Sequence, residues 1–117
     1  MRVIIAGSRN FYDYERLKQS CDKILVNQTD IQIVSGTAKG ADELGEKYAN
    51  EKGYGLVLFP AQWDKYGKSA GYKRNIQMAE NADALIAFWD GKSQGTKHMI
   101  DIANKLNLLV RIINFKK

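Results

Sequence analysis

Cysteine, histidine and proline each occur once in the 117 residues. With Cys21 as the lone thiol no intrachain disulfide can form, and His98 as the lone imidazole leaves a Cys/His zinc site without ligands. No metal and no cofactor is expected, and the setting is expected to be cytoplasmic. Long apolar runs are also missing. Met1-Arg2-Val3-Ile4-Ile5-Ala6-Gly7 passes straight into a Gly-Ser-Arg turn, too short for a signal peptide or a membrane span. Pro60 marks no hinge, and there is no repeat, linker or low-complexity tract, so residues 1–117 are expected to form one domain.

What is present is a core-building composition: 44% hydrophobic and 26% charged residues, with two Trp, six Tyr and four Phe. That is remote from the aromatic-poor, charge-rich make-up of a disordered chain. The net charge of +5 comes from basic residues spread along the whole chain, which suits small anions as well as nucleic acid.

Five apolar runs read as strands: Val3 to Ala6, Ile31 to Val34, Leu56 to Phe59, Ala84 to Trp89 and Leu108 to Ile113. All but the Ile31 run are continuous rather than alternating, as in strands covered on both faces. Between them apolar residues recur at helical spacing: Leu17, Cys21, Ile24 and Leu25; Ala41, Leu44, Tyr48 and Ala49; Tyr72, Ile76 and Ala79; Met99, Ala103 and Leu106. Alternating strands and helices imply βαβ units. The expected fold is an α/β, Rossmann-like three-layer sandwich, with a parallel sheet of about five strands in the order 3-2-1-4-5 and helices on both faces. Ligands then belong at the switch point between the first and fourth strands.

Seven of the ten glycines fall at the C-terminal edge of that sheet: Gly7, Gly36, Gly40, Gly67, Gly71, Gly91 and Gly95. The same edge carries Arg9, Lys39, Lys65, Lys68, Lys73, Arg74, Lys92 and Lys97, with Asp42, Asp64 and Asp90 among them. Bare backbone amides, helix N-termini and cations suit phosphate, while carboxylates suit ribose hydroxyls or proton transfer. Gly67-Lys68-Ser69 and Gly91-Lys92-Ser93 are not P-loops, because Gln62 and Ile86 stand where the earlier glycine belongs. Nor is Gly7-Ser8-Arg9-Asn10-Phe11 a dinucleotide fingerprint, and the second strand ends in Val34-Ser35 with no acid for a ribose. His98 falls in the first turn of the last helix, where it either touches a ligand or lies on the surface. Cys21 lies on an apolar helix face and reads as core. Trp63 and Tyr66 either stack on a base or cover the core.

Five blocks in order, covering nearly the whole chain, resemble the YspA-related branch of the SLOG superfamily. They are Gly7-Ser8-Arg9, Ser35 to Asp42, Phe59 to Trp63, Gly67 to Met78, and Ala87 to Gly91 leading to Gly95-Thr96. The resemblance implies a Rossmann-like domain for nucleotides or nucleotide-derived ligands, of bacterial or prophage type. More distantly it extends to the LOG phosphoribohydrolases and to DprA. Arg74-Asn75-Ile76-Gln77-Met78 resembles the Arg-Lys…Met segment of the LOG enzymes, which implies a ligand-facing Arg74. Asp90 to Thr96 resembles their glycine-rich loop, but Met99 stands where that motif has its glutamate. Methionine neither stabilises an oxocarbenium-like transition state nor activates water, so phosphoribohydrolase chemistry is not carried over.

The ligand site expected from these readings takes Gly7, Ser8 and Arg9 from the first loop, and Ser35, Gly36, Thr37, Gly40 and Asp42 from the second. Trp63 follows the third strand, Arg74 and Asn75 lie on the third helix, and Asp90, Gly91, Ser93, Gly95 and Thr96 come from the last loop. Its expected function is binding for sensing or sequestration, the phosphate lying at Gly91 to Thr96 and the ribose or base toward Gly36 to Asp42. A hydrolase of an N-glycosidic or phosphate bond using Asp42 or Asp90 is the alternative. DNA or RNA binding is the third reading, disfavoured because there is no aromatic-interleaved basic stripe and no helix-turn-helix. A homodimer or larger assembly is left open, with Phe11, Tyr12 and Tyr14 as exposed aromatics near the site.

Overall fold

The computed structural model describes residues 1–116. Strands β1 (Arg2–Gly7), β2 (Gln32–Ser35), β3 (Gly55–Leu58), β4 (Ala84–Trp89) and β5 (Leu109–Asn114) alternate with helices α1 (Tyr14–Ile24), α2 (Ala41–Lys52), α3 (Trp63–Tyr66), α4 (Ala70–Glu80) and α5 (Gln94–Lys105). The strands form one parallel sheet in the order β3-β2-β1-β4-β5, the expected doubly wound arrangement. Val3 pairs with Ile33 on one side and Ala84 on the other, so β1 is central.

Alternation along the strands divides the core. Val3, Ile5, Ile33, Ile86 and Phe88 meet Leu17 and Cys21 of α1 and Ala41, Tyr48 and Ala49 of α2. Ile4, Ala6, Val34, Leu85 and Ala87 meet Met78 and Ala79 of α4 and Met99, Ile100 and Ala103 of α5. Both faces of β1 and β4 are thus covered, which is why those runs are apolar without interruption. Asp13 starts α1 by accepting from the Arg16 amide at 3.1 Å, and Ser93 does the same for Thr96 at the start of α5.

Three expectations change. The buried face of α4 is Ala70, Asn75, Met78 and Ala79, while Tyr72 and Ile76 point outward. Leu106 is exposed just past α5. Phe11 is buried, its ring 4.8 Å from that of Phe88, so of the three aromatics expected on the surface only Tyr12 is fully there. The Trp63 segment is also ordered: α3 runs into a 3-10 turn at Gly67–Ser69 and so into α4.

At the N-terminal edge Arg2 donates from its amide to Asp83 Oδ2 at 2.9 Å and from Nε to Gln32 Oε1 at 3.0 Å. A hollow of about 190 Å³ there is lined largely by apolar side chains, among them Val3, Ile24, Leu25, Leu109 and Val110. Among the described residues no helix is long and apolar enough to cross a membrane.

Candidate functional site

The loops at the other end of the sheet lead from strands into helices, and they bring their residues, together with the first turns of α2, α4 and α5, to one place. The result is a cleft of about 250 Å³. Its walls come from the end of β1 (Ala6, Gly7), the loop before α1 (Arg9), the start of α2 (Ala38, Asp42), α3 (Trp63), α4 and the turn before it (Lys68, Gly71, Tyr72, Arg74, Asn75, Met78) and α5 with its cap (Ser93, Gly95, Thr96, Met99).

Asp42 is the buried charge of this cleft, 4% exposed on the first turn of α2. Its Oδ2 accepts from the Ala38 amide at 3.3 Å. Burial disfavours the carboxylate and pushes its pKa up to about 6, against the pull of the Ala38 amide and of the Arg74 charge. Arg74 approaches from α4 and donates through Nη1 to the Gly36 carbonyl and through Nε to Asn75 Oδ1 at 3.1 Å. The Asn75 amide nitrogen lies 3.2 Å from the Gly95 carbonyl and 3.2 Å from His98 Nδ1, which ties α4 to α5. Burial lowers the His98 pKa, which favours the neutral ring. The ion pairs among the described residues all lie away from the cleft, joining α1 to α2 and running along α5.

At α5 the Ser93 hydroxyl accepts from the Thr96 amide at 3.4 Å, leaving the amides of Gln94 and Gly95 without a partner from the helix itself. A Cβ placed on Gly95 would meet nothing within 4 Å, so this stretch of backbone is bare. The positive end of the helix and its free donors suit an anion. At the start of α2 the backbone is crowded instead. Gly40 has φ 79°, and a Cβ there would lie 2.5 Å from both the Ser8 and the Arg9 carbonyl oxygens.

Nine of the expected residues line the cleft: Gly7, Arg9, Asp42, Trp63, Arg74, Asn75, Ser93, Gly95 and Thr96. The others stand behind or beside it. The Ser8 hydroxyl accepts from the Asp90 amide at 3.2 Å, and the Ser35 hydroxyl donates to Glu46 at 2.8 Å. Gly36 is buried behind Arg74 and Asp42, Thr37 is exposed with φ 63°, and Gly40 packs against the first loop. Asp90 braces its own loop, its Oδ1 accepting from the amides of Lys92 at 2.9 Å and Ser93 at 2.8 Å, which holds its pKa below the usual carboxylate value. Gly91 takes φ 82° at the loop's turn.

The sequence reading did not assign Gly71, Tyr72, Met78 or Met99 to the site. Counting one helical turn back and forward from Arg74 finds Gly71 and Met78; Tyr72 was hidden by its apolar spacing with Ile76. His98 and Tyr66 lie outside the lining, His98 half-buried against Tyr72 and Tyr66 beside Lys65 and Lys73.

A sequence model of the YspA, cpYpsA-related SLOG family matches residues 1–66. The Gene 61 protein of Mycobacterium phage D29 is 34% identical over 121 residues, spanning 97% of this chain and 95% of that protein. The solved structure of DNA processing protein A (DprA) from Streptococcus pneumoniae superposes with a TM-score of 0.76 at 19% identity. That match covers 98% of this chain but only 50% of the DprA chain, so the likeness is one of fold.

Proposed function

The chain belongs to the YspA, cpYpsA-related SLOG family, and from that premise we propose that it binds a nucleotide or nucleotide-derived ligand in the cleft, for sensing or sequestration. The observation that carries this reading is the meeting, in one cleft, of a buried carboxylate, a guanidinium and the N-terminus of α5. The phosphate rests on the open amides of Gln94 and Gly95 with Arg9 and Arg74 nearby, and ribose hydroxyls donate to Asp42.

Isothermal titration against 5′-mononucleotides, ADP-ribose, NAD and cyclic nucleotides tests it. Arg74→Ala is expected to weaken the ligand about tenfold to a hundredfold, the worth of a charge-assisted hydrogen bond or two. Gly95→Leu, which enters open space, is expected to block binding with the fold intact. Unchanged affinity in both variants would sink the site assignment.

A second reading is hydrolysis, favoured by one observation. Asp42, with its pKa near 6, is suited to hold or take a proton near neutral pH in a position where it lines the cleft. Mass spectrometry of the same titrations decides between them: released base or phosphate, lost in Asp42→Asn, makes the cleft an active site.

A further inference from the structure

The cleft has charged and polar groups and also an aromatic wall, and the phosphate and ribose contacts use only the former. Trp63 lines the cleft with 52% of its surface exposed and joins neither of the two apolar clusters. Its six-membered ring lies low over the start of α4, Cη2 passing 3.5 Å from where Gly71 would carry a Cβ. Tyr72 adds a second ring to the same wall, 47% exposed and edge-on to His98 with centroids 4.6 Å apart. His98 is itself held by Asn75. Two large rings therefore face a cleft whose polar groups include Asp42, Arg74 and the N-terminus of α5. A sugar phosphate would use those polar groups and leave both rings in water; a ligand with a flat π-system joined to hydroxyls and an anion uses the rings as well.

We propose that Trp63 is the platform on which the base of the bound nucleotide stacks, with Tyr72 continuing that wall. The ligand then lies with its base toward α3 and its phosphate toward α5. This rests on the nucleotide reading of the cleft and, of the ribose or base expected toward Gly36 to Asp42, assigns the ribose there. Tyr66, the other candidate for stacking, does not line the cleft. Because every base has a π-face, the platform selects for the presence of a base rather than for its identity.

Calorimetry of the full chain with AMP, GMP, CMP and UMP, and with ribose 5-phosphate as the base-free control, tests the platform. The mononucleotides are expected to bind about tenfold more tightly than ribose 5-phosphate, the usual worth of one stacked base. Trp63→Ala is expected to abolish that difference while leaving ribose 5-phosphate binding unchanged, and Trp63→Phe to retain most of it. Proton NMR adds a direct signature, an upfield ring-current shift of the bound base protons that disappears in Trp63→Ala. If Trp63→Ala binds mononucleotides as well as the wild type does while Arg74→Ala still weakens them, the platform is overturned and the cleft reading stands. If the wild type binds none of the mononucleotides, ADP-ribose, NAD, the cyclic nucleotides or ribose 5-phosphate, the cleft reading falls and the platform with it.

Discussion

The two ends of the sheet handle polar groups in opposite ways. At the N-terminal edge Arg2 donates to both Gln32 and Asp83, the terminal ammonium donates to the Asp30 carbonyl at 2.8 Å, and the hollow beside them is mostly apolar. At the C-terminal edge a nearly buried carboxylate has a backbone amide for company but, among the described residues, no ion pair, and the first amides of α5 are left open. A fold optimised for stability alone would not keep a carboxyl group where burial opposes its charge. The unspent polar capacity therefore sets the cleft end apart as the candidate site.

Glycine substitution gives the sharpest contrast between the ends. Gly40 and Gly53 share a positive φ, 79° and 73°, but a Cβ at Gly40 meets two carbonyl oxygens at 2.5 Å whereas at Gly53 it meets nothing within 4 Å. Urea unfolding is expected to show Gly40→Ala costing about 3 to 5 kcal/mol, strain plus clash, and Gly53→Ala only about 1 kcal/mol. Equal costs would mean that the loops before α1 and α2 are not locked together.

Next in size is Asp42→Asn. The carboxyl titrates near 3.8 when unfolded and near 6 when folded, so the native state holds the proton more tightly. The stability this group contributes is therefore full below pH 3.8 and falls as pH rises through 6. At pH 7 to 8 the loss amounts to about 3 kcal/mol at most. Asparagine is neutral throughout, so Asp42→Asn is expected to raise Tm at pH 7 to 8, flatten its decline between pH 4 and 8, and weaken the ligand. Melting curves across that range check the sign; a lower Tm at pH 8 would remove the case for a carboxylate held against its preference.

The smallest effect belongs to the opposite end. Arg2→Ala is expected to cost less than about 1 kcal/mol, because its partners remain solvated, and to leave nucleotide affinity unchanged. A change in affinity there would blur the division between the two edges.

Much of this was legible in the sequence because burial on both faces leaves a plain trace. Chain alternation and crossover handedness narrow the topology to doubly wound sheets without fixing one order; the expected 3-2-1-4-5 is the order found, and the glycine asymmetry pointed to the edge that carries the cleft. Legibility failed where function reverses the usual sense of a pattern. On α4 the rule that apolar residues turn inward selected Tyr72 and Ile76 along with Ala79, but beside Ala79 and Met78 the buried face takes Asn75, an amide that joins Arg74 to α5. Phe11 sits among loop residues and so read as exposed; the rings of Phe88 and Phe115, each 4.8 Å away, show why it is buried. Ser8 and Ser35 were expected to face a ligand on the strength of their place in glycine loops. Their hydroxyls instead hold the loops, a distinction that depends on partners far away in sequence, Asp90 and Glu46.

Asn75 carries one more consequence. With Oδ1 accepting from Arg74 and Nδ2 directed at Gly95 and His98, turning the amide over would set donor against donor at Arg74 and acceptor against acceptor at the Gly95 carbonyl. The same bonds place the His98 proton on Nε2. The seam between α4 and α5 is thus fixed in polarity and tautomer by the fold alone, and the rotational entropy of orienting the Arg74 guanidinium, the Asn75 amide and the His98 imidazole is lost during folding. Whatever enters the cleft meets a preorganised surface, and its binding free energy is not reduced by setting those groups in order.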